Sequence, residues 1–214
     1  MDFSYLLDLF LHLDKHLASV VDQWGALVYV LLFAIIFVET GLVVMPFLPG
    51  DSLLFVAGAI AAVGGMSLPI LLILLLIAAV AGDAVNYSIG RWFGPKVFAW
   101  EDSRWFNKEA FDKTHAFYEK HGPITIVVGR FLPFIRTFAP FIAGVAQMSY
   151  PRFATYNLVG GVLWVGGLTT LGYLIGDNPW VKANFSVVAL AMIIIPGLPA
   201  LWVFLKALIQ KIKA

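Results

Sequence analysis

The segment GRFLPFIRTFAP, residues 129–140, places two arginines and two prolines at the centre of an otherwise apolar stretch. That stretch, residues 124–148, is about 25 residues long, too short for two full crossings at about 1.5 Å per helical residue. Its centre is the part least able to stay helical, because proline removes a backbone donor. We therefore predict a re-entrant hairpin with Pro133 and Pro140 at its tip, which points into an interior cavity where protein or water covers the open backbone.

A second broken stretch, residues 24–66, contains the sequence PFLPGD at positions 46–51. Its helix-breaking residues predict another hairpin, with a tip made of Pro46, Pro49 and Gly50. This stretch is also long enough for two short crossings, and that alternative would move the N-terminus to the other side of the membrane. Before it, residues 1–22 carry apolar side chains at helical spacing and are predicted to form an amphipathic N-terminal segment.

The composition is that of a membrane protein. Of the 214 residues, 61% are hydrophobic and 13% are charged, and the mean hydropathy is +0.89, whereas soluble domains are about 25% charged. Three stretches reach the length of about 20 apolar residues that a crossing helix needs: 68–88, 153–176 and 185–205. The net charge of +1 offers no basic surface to nucleic acid, and the lack of cysteine excludes disulfides and thiolate metal sites.

Four short motifs occur twice in the same order, which indicates an internal repeat. FLP, AG, MSxP and GxxxG begin at residues 47, 57, 66 and 90, and again at 131, 143, 148 and 172. If each copy is a hairpin plus one crossing, the two copies must lie antiparallel, as in secondary transporters. The predicted fold is an all-α polytopic membrane protein, an inverted repeat of re-entrant hairpin plus transmembrane helix, with an additional C-terminal transmembrane helix.

We predict a single membrane domain over residues 23–208. It comprises repeat 1 (about 24–94), an interfacial loop (about 95–122), repeat 2 (about 123–177) and a final transmembrane helix (about 185–208). Residues 91–122, the loop together with the end of repeat 1, hold six Lys or Arg residues, and the C-terminal tail holds three. The positive-inside rule therefore places the 91–122 loop and the C-terminus in the cytoplasm.

Charged residues flank both predicted hairpin tips, where charge is costly in a membrane unless it is paired or functional. Glu39 and Asp51 flank the first tip, and Arg130 and Arg136 flank the second. Two arginines can bind a phosphate group through bidentate hydrogen bonds, so we expect this pair to bind the phosphate of a substrate. A carboxylate shielded from water takes up a proton readily, so we expect the two acids to couple protons. A purely structural network of ion pairs is the alternative.

A second polar set shares one helix face at i, i+3 and i+4 spacing: Asp83, Asn86 and Tyr87, followed by Arg91. We interpret it as a secondary polar site, with polar packing between helices as the alternative. The four histidines lack metal-ligand spacing, and the standard catalytic motifs are absent from the sequence. We therefore expect no metal, no cofactor and no enzymatic activity.

These motifs together resemble the DedA family, the bacterial relatives of VTT-domain (SNARE-associated) membrane proteins. The similarity is carried by ETG at 39–41, PFLPGDSLLF at 46–55, GDxxNYxxGR at 82–91 and GRFxPxxRTxxPxxAG at 129–144. The resemblance implies a multi-pass protein of the bacterial inner membrane with two opposed re-entrant hairpins. It also implies that the functional charges are Glu39, Asp51, Arg130 and Arg136.

The function that the resemblance implies is lipid movement between leaflets, notably the recycling of undecaprenyl phosphate in support of the cell envelope, linked to the proton motive force. The expected partners are a phosphate-bearing membrane lipid and protons, with no nucleic acid, and the formation of a homo-oligomer is left open. The alternative is a proton-coupled antiporter of small ions or drugs that maintains membrane potential and pH homeostasis. A structural or recruiting protein and a membrane phosphatase are further alternatives.

Overall fold

The computed structural model describes residues 25–42, 50–99 and 108–184, and every regular element in these ranges is helical. The predicted N-terminal segment 1–22, the tip residues Pro46 and Pro49, and the final transmembrane helix lie outside the described residues. The elements, in chain order, are α1 (Ala26–Gly41), α2 (Gly50–Ala62), α3 (Leu68–Phe93), α4 (Lys108–His121), α5 (Thr125–Gly129), α6 (Pro133–Val145), α7 (Tyr150–Gly161), α8 (Gly167–Gly176) and α9 (Pro179–Ala183). Short 3₁₀ segments cover Gly94–Ala99 and Gly122–Ile124, and a π-helical segment, Val162–Gly166, joins α7 to α8.

Among the residues that the structure describes, two helices are long and apolar enough to cross a membrane. They are α3, with 26 residues, and the continuous helix Tyr150–Gly176, with 27 residues, and both exceed the about 20 residues that a crossing requires. The second begins with Pro151 in its first turn, after an extended Ser149, which suits proline because the first helical N–H groups need no intrahelical partner. These helices coincide with two of the three predicted crossings.

The two proline-containing stretches break into helices too short to cross. In the second stretch α5 ends at Gly129 and α6 begins at Pro133. Leu132 between them is extended, with φ −119° and ψ 110°, the conformation that a following proline imposes. The predicted break before Pro133 is therefore present. In the first stretch, α1 has 16 residues and α2 has 13, and α2 starts at Gly50.

One predicted tip residue lies elsewhere. Pro140 is inside α6, beyond the break, so its assignment to the hairpin tip is wrong. A proline within a helix removes one backbone donor and therefore one helical hydrogen bond. The helix tolerates this loss because it continues for five residues past Pro140 and packs over most of its length.

The chain forms two compact units. In the first, whose described residues are 25–28, 50–71 and 168–184, α2 packs against α8. The contact is so close that a Cβ atom added to Gly172 would lie 2.1 Å from the carbonyl oxygen of Phe55. A Cβ on Gly58 would lie 2.0 Å from the carbonyl oxygen of Thr169. Glycine is therefore required on both helices, as in close helix pairs within membranes.

The second unit, whose described residues are 29–42, 72–99 and 108–167, contains the same type of contact. Here α6 packs against α3, and a Cβ on Gly90 would lie 2.1 Å from the carbonyl oxygen of Phe141. A Cβ on Gly144 would lie 2.1 Å from that of Tyr87. The repeated AG and GxxxG motifs thus make equivalent contacts within each unit.

Helix α4 covers α6 within the second unit. Phe111 is fully buried against Phe138 and Phe141, in a cluster that also includes Val97, Ile142 and Val145. The opposite face of α4 carries the exposed ion pair of Glu109 with Lys113, while Lys108 lies over the Phe111 ring and pairs with Asp112. This distribution is that of an amphipathic helix.

Candidate functional site

Four charged side chains meet in the interior of the second unit, each from a different part of the chain. Glu39 comes from the last turn of α1, Asp83 from the middle of α3, Arg130 from the break after α5, and Arg136 from the first turn of α6. We call these four residues the charge cluster. The helix break is what allows both arginines to reach it, because it turns the chain between them.

Arg130 is held by two polar partners and is 5% exposed. Its Nη2 donates to Asp83 Oδ2 in a buried ion pair, and it also donates to Asn157 Oδ1 at 2.5 Å. Asn157 is in turn fixed by a bond from its Nδ2 to the Val80 carbonyl, 3.0 Å away. Gly160 leaves the room that the arginine needs, since a Cβ there would lie 3.0 Å from Arg130 Cδ and Nε.

Arg136 pairs with Glu39, again through Nη2, and the Glu39 side chain is fully buried. Glu39 is two residues from the C-terminal end of α1, and Arg136 is in the first turn of α6. Both charges therefore oppose the dipoles of their own helices, which favour cations at the C-terminus and anions at the N-terminus. Neither residue is placed to stabilise its own helix, so the favourable electrostatic energy of each charge comes from its ion pair with the other.

An aromatic ring connects the two ion pairs. The guanidinium carbons of Arg130 and Arg136 lie 5.8 and 5.0 Å from the ring centre of Trp164, within the range of cation–π attraction. Trp164 is 1% exposed and belongs to the π-helical segment Val162–Gly166. Short π-helical segments within α-helices occur frequently at functional sites.

The charge cluster is closed and nearly filled. The cavity bounded by the four charged residues, Thr40, Thr137 and Trp164 encloses about 10 Å³, close to the lower limit for one water molecule. Two positive and two negative side chains cancel there. A phosphate group can reach the arginines only if the carboxylates move aside or lose their charge.

The remaining predicted site residues occupy other positions. Asn86 donates to the carbonyls of Thr40 and Thr137, at 3.1 and 2.9 Å. Tyr87 donates to the Met148 carbonyl and accepts a 2.8 Å bond from Arg91. These bonds tie helix ends together, which agrees with polar packing between helices.

The two predicted acids differ in where they lie. Glu39 is in the charge cluster, whereas Asp51 is in the first turn of α2, in the first unit. The acid paired with Arg130 is Asp83, which the sequence suggested only for a secondary site. Sequence reasoning missed Trp164 and Asn157 altogether. The available signal was the double glycine at 160–161, just before Trp164, where Arg130 and side chains of α3 approach the helix closely.

Among the residues that the structure describes, no group of His, Asp or Glu side chains is arranged to hold a metal ion.

Comparison with known proteins identifies a family. The chain matches the VTT domain over residues 48–174. It is 52% identical to protein DedA of Escherichia coli over 93% of this chain and 92% of the relative. It is 47% identical to an uncharacterised membrane protein of Mycobacterium leprae (78% and 75% covered), and 40% identical to the E. coli inner membrane protein YqjA (72% and 70% covered). No solved structure matches the chain.

Proposed function

The chain belongs to the VTT-domain family of membrane proteins that includes DedA, and we propose that it carries phosphate-bearing lipids across the bacterial inner membrane. The substrate class is a polyprenyl phosphate such as undecaprenyl phosphate, recycled to support the cell envelope. This lipid transport is linked to the proton motive force, and the protein acts as a transporter with no enzymatic step.

The observation that carries this proposal is the buried pair of arginines at a helix break. Guanidinium groups bind phosphate oxygens through paired hydrogen bonds, and broken helices within a membrane are where transporters bind ionic substrates. Arg130 and Arg136 share one aromatic support, so one phosphate group could contact both. The lipid tail would stay in the bilayer while the headgroup passes through the protein.

The repeat architecture belongs to the same proposal. The helices of both broken stretches have at most 16 residues, fewer than a crossing needs, which supports two re-entrant hairpins. The equivalent contacts at Gly90 and Gly172 support two copies of one repeat. Antiparallel copies would offer the two membrane faces equivalent routes, the arrangement used for alternating access.

Proton coupling completes the cycle. Glu39 is supported as a coupling acid by its buried pairing with Arg136, because protonation would release the arginine to the headgroup. Asp51 stays in the proposal on the strength of the family resemblance. A proton-coupled antiporter of small ions or drugs is the second candidate, favoured by the small closed cavity around buried carboxylates.

Removing the Glu39–Arg136 pair tests the function. The variant that replaces both residues with glutamine avoids leaving one buried charge unpaired, which would cost about 3–5 kcal/mol. We expect this double variant to fold but to lose at least about tenfold in undecaprenyl phosphate movement, since removing one charged hydrogen-bonding partner costs about 1.5–3 kcal/mol. The control is Arg152→Ala, which removes an exposed arginine of α7.

The measurement is exposure of undecaprenyl phosphate on each leaflet of liposomes containing the purified protein, with and without an imposed pH gradient. Gradient-sensitive movement by the wild type and the control, lost in the double variant, supports the translocase. Undiminished movement in the folded double variant would contradict a role for this pair on the phosphate. Ion flux without lipid movement would favour the antiporter.

A further inference from the structure

The acid that pairs with Arg130 leads to an inference that rests on the proposed function and goes beyond it. We infer that Asp83 is a proton-carrying acid of the charge cluster, and that its presence beside Glu39 matches the site to a dianionic headgroup, a phosphomonoester. Each carboxylate holds one arginine while the site is empty and takes up one proton when the headgroup arrives.

Three charged side chains face Asp83. Glu39 approaches from α1, Arg130 from the break and Arg136 from α6, while the helix Tyr150–Gly176 contributes only the neutral Asn157 and Trp164. The sum of these charges with Asp83 is zero, and all of them are largely removed from water. Uncompensated charge in such surroundings is costly, so a bound headgroup must be balanced.

Charge balance sets the number of protons. The arginines stay charged, so the carboxylates must absorb the difference. A phosphodiester brings one negative charge, and protonation of one carboxylate to the neutral acid restores zero. A phosphomonoester dianion brings two, so both carboxylates must each gain a proton. Glu39 and Asp83 are the two that contact the arginines, and each then ends as a neutral carboxylic acid beside an arginine–phosphate pair.

The surroundings of Arg130 hold its guanidinium group in place even when the ion pair with Asp83 is lost. Asn157 and Trp164 are neutral and hold the guanidinium from other directions, so it keeps its position when Asp83 becomes neutral. Its buried Nε has no hydrogen-bond partner among the described residues. A buried donor without an acceptor is unusual in a purely structural ion pair, and a phosphate oxygen would supply that acceptor.

The test counts protons taken up on binding. Farnesyl phosphate is titrated into the detergent-solubilised full chain at pH 8, where a phosphomonoester, with its second pKa near 6, is almost entirely dianionic. Calorimetry in two buffers with different heats of ionisation gives the number of protons absorbed. We expect about two for the wild type and about one for Asp83→Asn, following the charge of the phosphate dianion.

Three controls separate this effect from general damage. Asp112→Asn removes an acid that is exposed and paired with Lys108 on α4, and it should absorb as many protons as the wild type. A short-chain phosphatidylglycerol, a diester with one charge, should absorb about one proton in the wild type and none in Asp83→Asn, because the empty cluster of this variant already carries one net positive charge that balances the diester. Asp83→Glu, which keeps the acid, should absorb the wild-type number of protons.

Each outcome has a defined meaning. Equal uptake of protons by wild type and folded Asp83→Asn would overturn this inference and leave the proposed function intact. Failure of the wild type to bind either lipid would remove the proposed function as well. If Asp83→Asn does not fold, the variant Glu39→Gln provides the test. Binding of farnesyl phosphate to this variant should still produce the infrared band of a newly protonated carboxylic acid. The absence of that band would overturn the inference.

Discussion

At the scale of single residues, Trp164 is notable because it contacts both arginines of the charge cluster. One indole ring lies beside two guanidinium groups that would otherwise repel each other, and it is buried with them. Because an aromatic face attracts cations without carrying a net charge, it can hold the arginines whether the carboxylates are ionised or neutral. In the proposed proton-coupled cycle, the ring would therefore be the part of the site that stays unchanged.

Replacing Trp164 should weaken the site in a graded way. Trp164→Leu removes the attraction to both arginines, and at about 0.5–2 kcal/mol for each contact the affinity for farnesyl phosphate should fall at least about fivefold. Trp164→Phe keeps an aromatic face and should bind with intermediate affinity. Trp92→Leu, at a position that is 80% exposed, is the control. Calorimetric titration measures the affinities, and wild-type affinity in a folded Trp164→Leu would contradict the supporting role.

A comparison of the predicted site residues with the charge cluster shows how much of the site the sequence could predict. The importance of Glu39, Arg130 and Arg136 follows from the cost of charge in an apolar stretch. The partner of Arg130 does not, because it depends on the depth at which α3 passes the helix break, and residue spacing within one helix says nothing about that depth. Trp164 was hidden for another reason: an aromatic residue within an apolar stretch looks the same in sequence whether it faces lipid or an arginine.

At the scale of elements, glycines decide which helices can pack. The contact between α2 and α8 and the contact between α6 and α3 both bring a backbone carbonyl against a glycine of a long helix. These contacts were anticipated as a repeated GxxxG pattern, and the break before Pro133 was anticipated from proline chemistry. Pro140 was misplaced because a helix that is well packed tolerates a lost hydrogen bond, and packing is not visible in local sequence.

Adding one methyl group at these contacts should destabilise the fold. The Cβ of Gly90→Ala or Gly172→Ala would lie 2.1 Å from a carbonyl oxygen, so the helices must separate, at a cost of about 1–3 kcal/mol. Gly167→Ala, in the same helix as Gly172, meets no atom within 4 Å and should leave stability unchanged or slightly raised. Thermal unfolding in detergent compares the three variants. Equal melting temperatures would show that these contacts are looser than described.

At the scale of the whole molecule, the membrane sets the arrangement of the chain. In the described part of the chain, two helices are long enough to cross. The relatives include a protein named as an inner membrane protein, and six basic residues lie in the segment 91–122, between the two predicted copies of the repeat. The proposed topology therefore places α4 on the cytoplasmic face and the turn after α2 on the opposite face. The limits of the predicted domain and the sides of both termini stay predictions.

Labelling of single cysteines checks this topology directly, because the chain has no cysteine of its own. Val63→Cys and Lys113→Cys replace exposed side chains on either side of α3. In intact cells a membrane-impermeant maleimide should label position 63, while position 113 should react only in inside-out vesicles. Labelling of both positions from one side would show that α3 does not cross.

The contacts at Gly90 and Gly172 carry a consequence for how such a chain could arise. Each joins a long helix from one copy of the repeat to a short helix from the other copy. A half-length chain with one copy would leave the glycine face of its own long helix bare and its short helix without support. A second half-length chain that exchanges short helices with the first would cover both surfaces.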